Sequence, residues 1–282
     1  MDNELLDPLY AAIFADPENG TPDNITQAGC LALARLGREA WNTWRSKYPS
    51  QVDAFWVSNA VDFSGVDFRK EHMHFDSFIF GHGASFKNAQ FGQANFVGAE
   101  FGERANFIGA KLGYCPSFYN ARFGYGANFS GAQFIEGAIF TSVEFGDHVC
   151  FDGAQFGDGP NFNQARFGNG ASFVGTQFGY RTNFEFTKFG KSVAFTGRNW
   201  ASLANQYSEC SDKFEEIKTW AEERGLSPET FKSISFAGAK FTDRVDFSGR
   251  KFESHTSFWQ AKFGKAPLQI TSRHYVWRRH IS

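Results

Sequence analysis

The sequence predicts an all-β solenoid: a four-sided β-helix with a helical cap at its N-terminus and one helical insertion. Three observations predict it. Phe accounts for 36 of 282 residues, while Leu, ordinarily among the commonest residues, occurs 10 times. The Phe residues recur at steps that alternate between five and six. A small or β-branched residue stands two positions before most of them. A composition bias without order does not write such a rule; a repeated structural unit does.

The ladder begins at Phe63, Phe68, Phe75 and Phe80 and becomes regular at Phe86. From Phe96 to Phe195, with Leu112 as the one substitute, the 11-residue unit repeats nine times without a slip. It resumes at Phe236, Phe241, Phe247, Phe252, Phe258 and Phe263. A mean step near 5.5 fits neither a helix nor a continuous strand. It fits a chain that runs a short straight side, turns a corner and repeats. In an extended segment residues i and i−2 share a face, so each side points one ring and one small group, such as Ala94, Ala127 or Val149, into the tube. Gly follows the ring in nearly every six-residue step, as at Gly124, Gly146 and Gly168. There it is expected to supply the positive φ of a wider corner.

The alternation also counts the sides. Like steps stack on like only if each coil has an even number of sides, and two sides enclose too little. Four sides give 22 residues per coil. The outward residue before the ring then reads Glu100, Arg122, Glu144, Arg166, Lys188 down one face and Lys111, Gln133, Gln155, Gln177 down another. The expectation is a charge-alternating column and a Gln ladder on a rod of about eight coils, roughly 35–40 Å long at ~4.8 Å per coil.

The units Ala94-Asn95-Phe96-Val97-Gly98 and Ala127-Asn128-Phe129-Ser130-Gly131 resemble the A-(D/N)-(L/F)-x-x signature of pentapeptide repeat proteins, in a Phe-rich form. The resemblance covers about residues 60–200 and 234–268. It implies a right-handed quadrilateral β-helix with the ring and the preceding small residue inside. The regular sixth residue departs from the plain family pattern. So do Pro116, Pro160, Thr182 and Arg250, which replace the small inward residue and are expected to distort their sides.

The remaining segments divide the chain into a helical cap over 1–52, β-helix over 53–200, a helical insertion over 201–233, renewed β-helix over 234–268 and an irregular basic tail over 269–282. Ile25 to Tyr48 reads as one amphipathic helix with Leu33, Leu36, Ala40, Trp44 and Tyr48 on its apolar face. Gly37 to Arg45 is similar to a short helix that often precedes such repeats. Its expected task is to cover the open strand edge and apolar cross-section of the first coil. Trp200 occupies a ring position. Beyond it Leu203, Tyr207, Phe214 and Ile217 make a helical stripe, and Ser227-Pro228-Glu229 reads as the start of a second short helix. Insertions leave a solenoid on one face and often carry specificity, which makes this arm a candidate interaction surface beside the bland reading of a segment packed on the wall.

No catalytic, cofactor-binding or metal-binding residue is assigned. His72, His74 and His82 cluster where the ladder is irregular and read first as solvent-exposed loop histidines, a metal site being the sharper alternative. Gly190-Lys191-Ser192 resembles the end of a phosphate-binding loop, but Glu185 stands where that loop needs Gly. Cys30, Cys115, Cys150 and Cys210 form no CxxC and lie beside no candidate base. A mean hydropathy of −0.39 and the absence of a long apolar run exclude a membrane-spanning helix. The acidic start carries no leader pattern, so a cytoplasmic chain is expected.

The functional expectation is a non-catalytic scaffold that offers its flat faces and helical arm to a protein partner, with no cofactor and no small-molecule substrate. Tyr114, Tyr125 and Tyr180 stand at corners as candidate anchors. An open β-helix end offers a further surface for a homodimer. The alternative comes from the resemblance: some pentapeptide repeat proteins mimic duplex DNA and bind type II topoisomerases such as gyrase. A mimic needs an acidic rod, whereas positions 86–195 carry eight acidic and eight basic residues. The basic excess lies in the insertion and tail, which argues against direct DNA binding as well.

Overall fold

The computed structural model describes residues 3–53, 57–70, 73–197, 219, 222–223, 227, 229–231, 233–253 and 255–264, with side chains from residue 8 onward. Its body is a parallel β-solenoid of about seven turns. The longest sheet stacks eight strands: Ile79–Gly81, Glu100–Phe101, Arg122–Phe123, Glu144–Phe145, Arg166–Phe167, Lys188–Phe189, Lys240–Phe241 and Lys262–Phe263. Every neighbouring pair is parallel. A second side pairs Asn106, Asn128, Cys150, Ser172 and Ala194 in turn. A third pairs Lys111, Gln133, Gln155 and Gln177. The fourth pairs Asn95, Ser117, Ile139, Asn161 and Asn183. Four sides per coil, each returning after 22 residues, is the arrangement the five–six alternation predicts. The seven steps between its eight stacked strands, at about 4.8 Å each, make the described rod ~34 Å long, close to the expected length.

Ring geometry explains the choice of Phe. Down each column the rings lie face to face at the strand spacing: Phe101 and Phe123 at 4.5 Å and 1°, Phe107 and Phe129 at 4.7 Å and 8°, Phe140 and Phe162 at 4.8 Å and 7°. Between columns they meet edge to face, as in Phe107 and Phe118 at 82°. A flat ring therefore stacks without a void at the ~4.8 Å rise that the backbone hydrogen bonds impose, and each aromatic pair adds ~0.5–1.5 kcal/mol beyond its burial. Leu112 is fully buried in the third column.

Gly113, at φ 71°, supplies the expected positive φ, but most glycines of the wide corners serve another purpose. In the corner after Phe145 the left-handed residue is His148, at φ 60°, and Gly146 is absent from the positive-φ residues. Gly146 is required by space: a Cβ there would lie 2.7 Å from the carbonyl carbon of Gly124 in the preceding coil. The four departures inside the tube leave the ladder intact. Pro116 and Pro160 accept backbone bonds from Ile139 (2.8 Å) and Asn183 (2.9 Å), and the Thr182 hydroxyl donates to the Gly179 carbonyl.

Before the ladder the chain forms α1 (Asn3–Phe14), α2 (Gln27–Arg35) and α3 (Arg38–Lys47). The single helix expected over Ile25–Tyr48 is thus two, broken at Gly37, whose φ of 90° suits Gly alone. The break turns Trp41 inward, onto Phe63, Phe78 and Phe80, and leaves Leu36 exposed. α3 also satisfies the free edge of the sheet. Asn42 donates to the Ser77 carbonyl and accepts from the Ile79 amide, while Trp41 Nε1 donates to the Ile79 carbonyl. An edge paired by side chains cannot recruit another strand.

Most of the expected insertion, with Trp200, Leu203, Tyr207, Phe214 and Ile217, lies outside the described residues, as does the tail from 265. The short helix expected from Ser227 is a turn, in which Glu229 N donates to Ser227 Oγ. The turn leads into a strand at Thr230–Phe231 that pairs with Lys251–Phe252. Phe231 is fully buried and packs edge-on against Phe178 and Phe252, so the ladder resumes before residue 234. The sequence step hides it because the intervening segment breaks the count.

Candidate functional site

With the rings inside, any recognition belongs to the outward columns, the corners and the ends. The column on the eight-stranded sheet begins as expected. Arg122 lies 3.7 Å from both Glu100 and Glu144, and Arg166 donates to Glu144 at 2.8 Å. These side chains are exposed, so each pair contributes only ~0.2–1 kcal/mol. Their main effect is to cancel charge along that stretch.

The Gln column differs from expectation. Gln133, Gln155 and Gln177 lie in register on the third side but are buried, the last two completely. No Gln-to-Gln hydrogen bond joins them: the Gln177 amide donates to the Gly175 carbonyl, and neither polar atom of Gln155 has a partner. An unsatisfied buried amide costs ~1–3 kcal/mol. Spacing alone reveals the column; enclosure depends on what packs over it, which no periodicity encodes.

Corner side chains tie coil to coil. Asp147 accepts from the backbone and side-chain amides of Asn169, one coil on, and Asn169 in turn accepts from the Lys191 amide. The two Asn169 bonds hold the Asp147 carboxyl below its ordinary range. Lys191 of the Gly190-Lys191-Ser192 stretch is therefore a rung of this ladder rather than part of a phosphate loop. Tyr114, Tyr125 and Tyr180 are exposed, as their corner positions predict, and Tyr119 joins them.

The histidines do not converge. His72 lies outside the described residues. His74 meets Asn95 at 3.4 Å, and His82 Nδ1 accepts from the Glu103 amide at 3.0 Å. Among the described residues no group of three His, Cys, Asp or Glu could hold a metal ion. Burial pushes the Cys30 thiol up to about 12 and the Cys150 thiol up to about 11, far from the thiolate a nucleophile needs. Cys115 is exposed, and Cys210 lies outside the described residues.

Arg250 was legible only as an irregularity. Its guanidinium is wholly buried inside the tube, where it donates to the carbonyls of Phe195 (2.7 Å) and Phe173 (3.1 Å) and lies 4.5 Å over the Phe231 ring. Burial pulls its pKa down to about 9. It joins coils on either side of the insertion. Two further aromatics, Phe186 and Trp259, stand off the ladder and are exposed.

A stack of parallel coils that encloses rings and presents side-chain columns defines a repeat solenoid, a class in which each coil contacts only its neighbours. The family model for pentapeptide repeats matches residues 82–115, with 8 copies. The ladder continues in register from there to Phe195 and again to Phe263, and the chain is a pentapeptide repeat protein. No curated protein is similar enough to the chain to be matched. The β-helix of this family is in general a non-enzymatic repeat scaffold. Among the described residues no helix is long and apolar enough to cross a membrane.

Proposed function

We propose that the chain is a non-catalytic cytoplasmic scaffold whose flat faces, together with the segment 201–233, bind a protein partner. One observation carries this reading: all four sides are locked in register by backbone bonds from coil to coil, so outward side chains stand in fixed columns. A rigid array of this kind loses little conformational freedom on binding. The exposed tyrosines at the corners are residues that interfaces favour. A homodimer through the C-terminal end of the ladder, where Phe258 and Phe263 are only partly buried, belongs to the same reading.

The ion pairs within the outward column speak against the DNA-mimic alternative, because a mimic needs unneutralised carboxylates along the rod. Affinity capture from native lysate, using the whole chain and a variant with 201–233 replaced by a short Gly-Ser linker, tests the scaffold. A specific protein retained by the whole chain supports it, and loss of that protein with the variant places the contact on the insertion. Capture of nothing above background sinks the reading. Inhibition of gyrase supercoiling by the purified chain would revive the mimic.

A further inference from the structure

We propose that the C-terminal part of the eight-stranded face, the row Lys188, Lys240 and Lys262 with Phe186 and Trp259 beside it, binds single-stranded nucleic acid. The three lysines continue the column that begins at Glu100 and follow Arg166 in strict register. All three are exposed, and no ion pair engages them among the described residues. Neighbours in the row are about 4.8 Å apart, and like charges placed opposite each other across strands destabilise a sheet. The N-terminal half of the same column avoids that repulsion by alternating its signs. The charge count over 86–195 is neutral because it includes that paired half and stops before Lys240 and Lys262.

The rings are a second, independent observation. Phe186 is 55% exposed and Trp259 68% exposed. Phe186 holds φ at 56°, a left-handed conformation that is uncommon for a bulky residue. The equivalent corner position carries Asn120, Ser142 and Gln164 in earlier coils, all with positive φ. Its ring lies over Gly238 of the next coil, with Cδ1 2.7 Å from where a Cβ would sit, so a side chain there would displace it. Trp259 emerges one coil further, where its carbonyl accepts from the Gly238 amide. Phe186 precedes Lys188 by two residues and Trp259 precedes Lys262 by three. The aromatics thus follow the corner alongside the cation row.

A line of point charges beside a line of exposed rings matches phosphates beside unstacked bases. Duplex DNA hides its base faces from exposed rings, so the single strand fits. Protein interfaces are depleted in Lys, which makes an acidic protein the poorer match. The row spans about 10 Å, the reach of a few nucleotides. Three phosphate contacts predict that log Kd rises with log salt with a slope near 2, from ~0.7 per contact on single strands.

The test is fluorescence anisotropy of a labelled oligothymidylate of about 20 nucleotides, titrated with the full chain from low salt upward. Expected are saturable binding with that slope, its near abolition in Lys188→Gln/Lys240→Gln/Lys262→Gln, and a roughly tenfold weakening in Trp259→Ala with the slope unchanged. All four positions are exposed, and far-UV spectra confirm the variants' fold. Absence of binding, or equal binding by the triple variant, overturns the proposal. Displacement by poly-glutamate as efficient as by unlabelled oligonucleotide overturns it too, in favour of an acidic protein partner. The scaffold reading can fail or stand separately, since lysate capture reads a protein and this assay reads an oligonucleotide.

Discussion

Phe129 is the place to test whether stacked rings, rather than bulk apolar volume, hold the tube. Its ring is fully buried, lies parallel to Phe107 at 4.7 Å and Phe151 at 4.8 Å, and meets Phe118 and Phe123 edge to face. Phe→Ala in a core costs ~3–5 kcal/mol. The backbone bonds above and below prevent the coils from closing on the cavity, so the upper end, about 5 kcal/mol, is expected. Taking an unfolding entropy of ~2.1 cal/mol/K per residue, that lowers Tm by roughly 8 °C. Phe129→Leu keeps most of the volume and loses both stacks, each worth ~0.5–1.5 kcal/mol, so about 2 kcal/mol and roughly 3 °C are expected. Phe263, half-buried at the last described coil, should cost less than 2 kcal/mol on truncation, because ~25 cal/mol per Å² applies to a smaller buried area. Thermal melts followed at 218 nm, with urea titrations beside them, give the three values. Equal losses at Phe129 and Phe263, or Phe129→Leu as harmful as Phe129→Ala, would refute the reasoning.

Gly146→Ala should destabilise the chain by more than the ~1 kcal/mol typical of point mutations, because its methyl meets the backbone around Gly124 rather than a side chain that can move. Gly37→Ala serves as the strain-only control, since nothing lies within 4 Å of its Cβ position. Asn42→Ala leaves the Ser77 carbonyl and the Ile79 amide unpaired at the sheet edge; light scattering at high concentration should show more self-association, with the melting curve shifted only a few degrees. With iodoacetamide at pH 8, peptide mapping should find Cys115 alkylated and Cys30 protected until the fold is lost, as burial and the raised thiol pKa require. The depressed Asp147 carboxyl contributes stability above the ordinary carboxylate pKa that is lost as pH falls through its folded value. Asp147→Ala should therefore flatten the acid limb of stability below about pH 4.

The fold was legible because a solenoid writes its geometry into a short period. The inward ring, the small residue two before it and the parity of the steps together determine four sides and the register of Glu100 on Arg122. Contacts between segments far apart in the chain were not legible. Nothing in the period says that Gln155 is enclosed, that Gly37 splits the cap helix, or that Phe231 enters the third column after the insertion. At Gly146 the glycine after the ring meets a need for space rather than for conformation, and a one-dimensional pattern does not show the coil beneath it. The candidate surface followed the same division. Columns are predictable position by position, but the lysine row depends on the pairing of Lys240 with Lys188 across the insertion, which the period does not encode.

The most direct test of the four-sided coil is a distance between spin labels at positions 100 and 188 on the intact chain, measured by double electron–electron resonance. Four coils of about 4.8 Å separate the two on one face, giving a narrow peak at roughly 20 Å between backbone positions. A broad distribution, or a peak beyond about 30 Å, would contradict the stacked 22-residue coil.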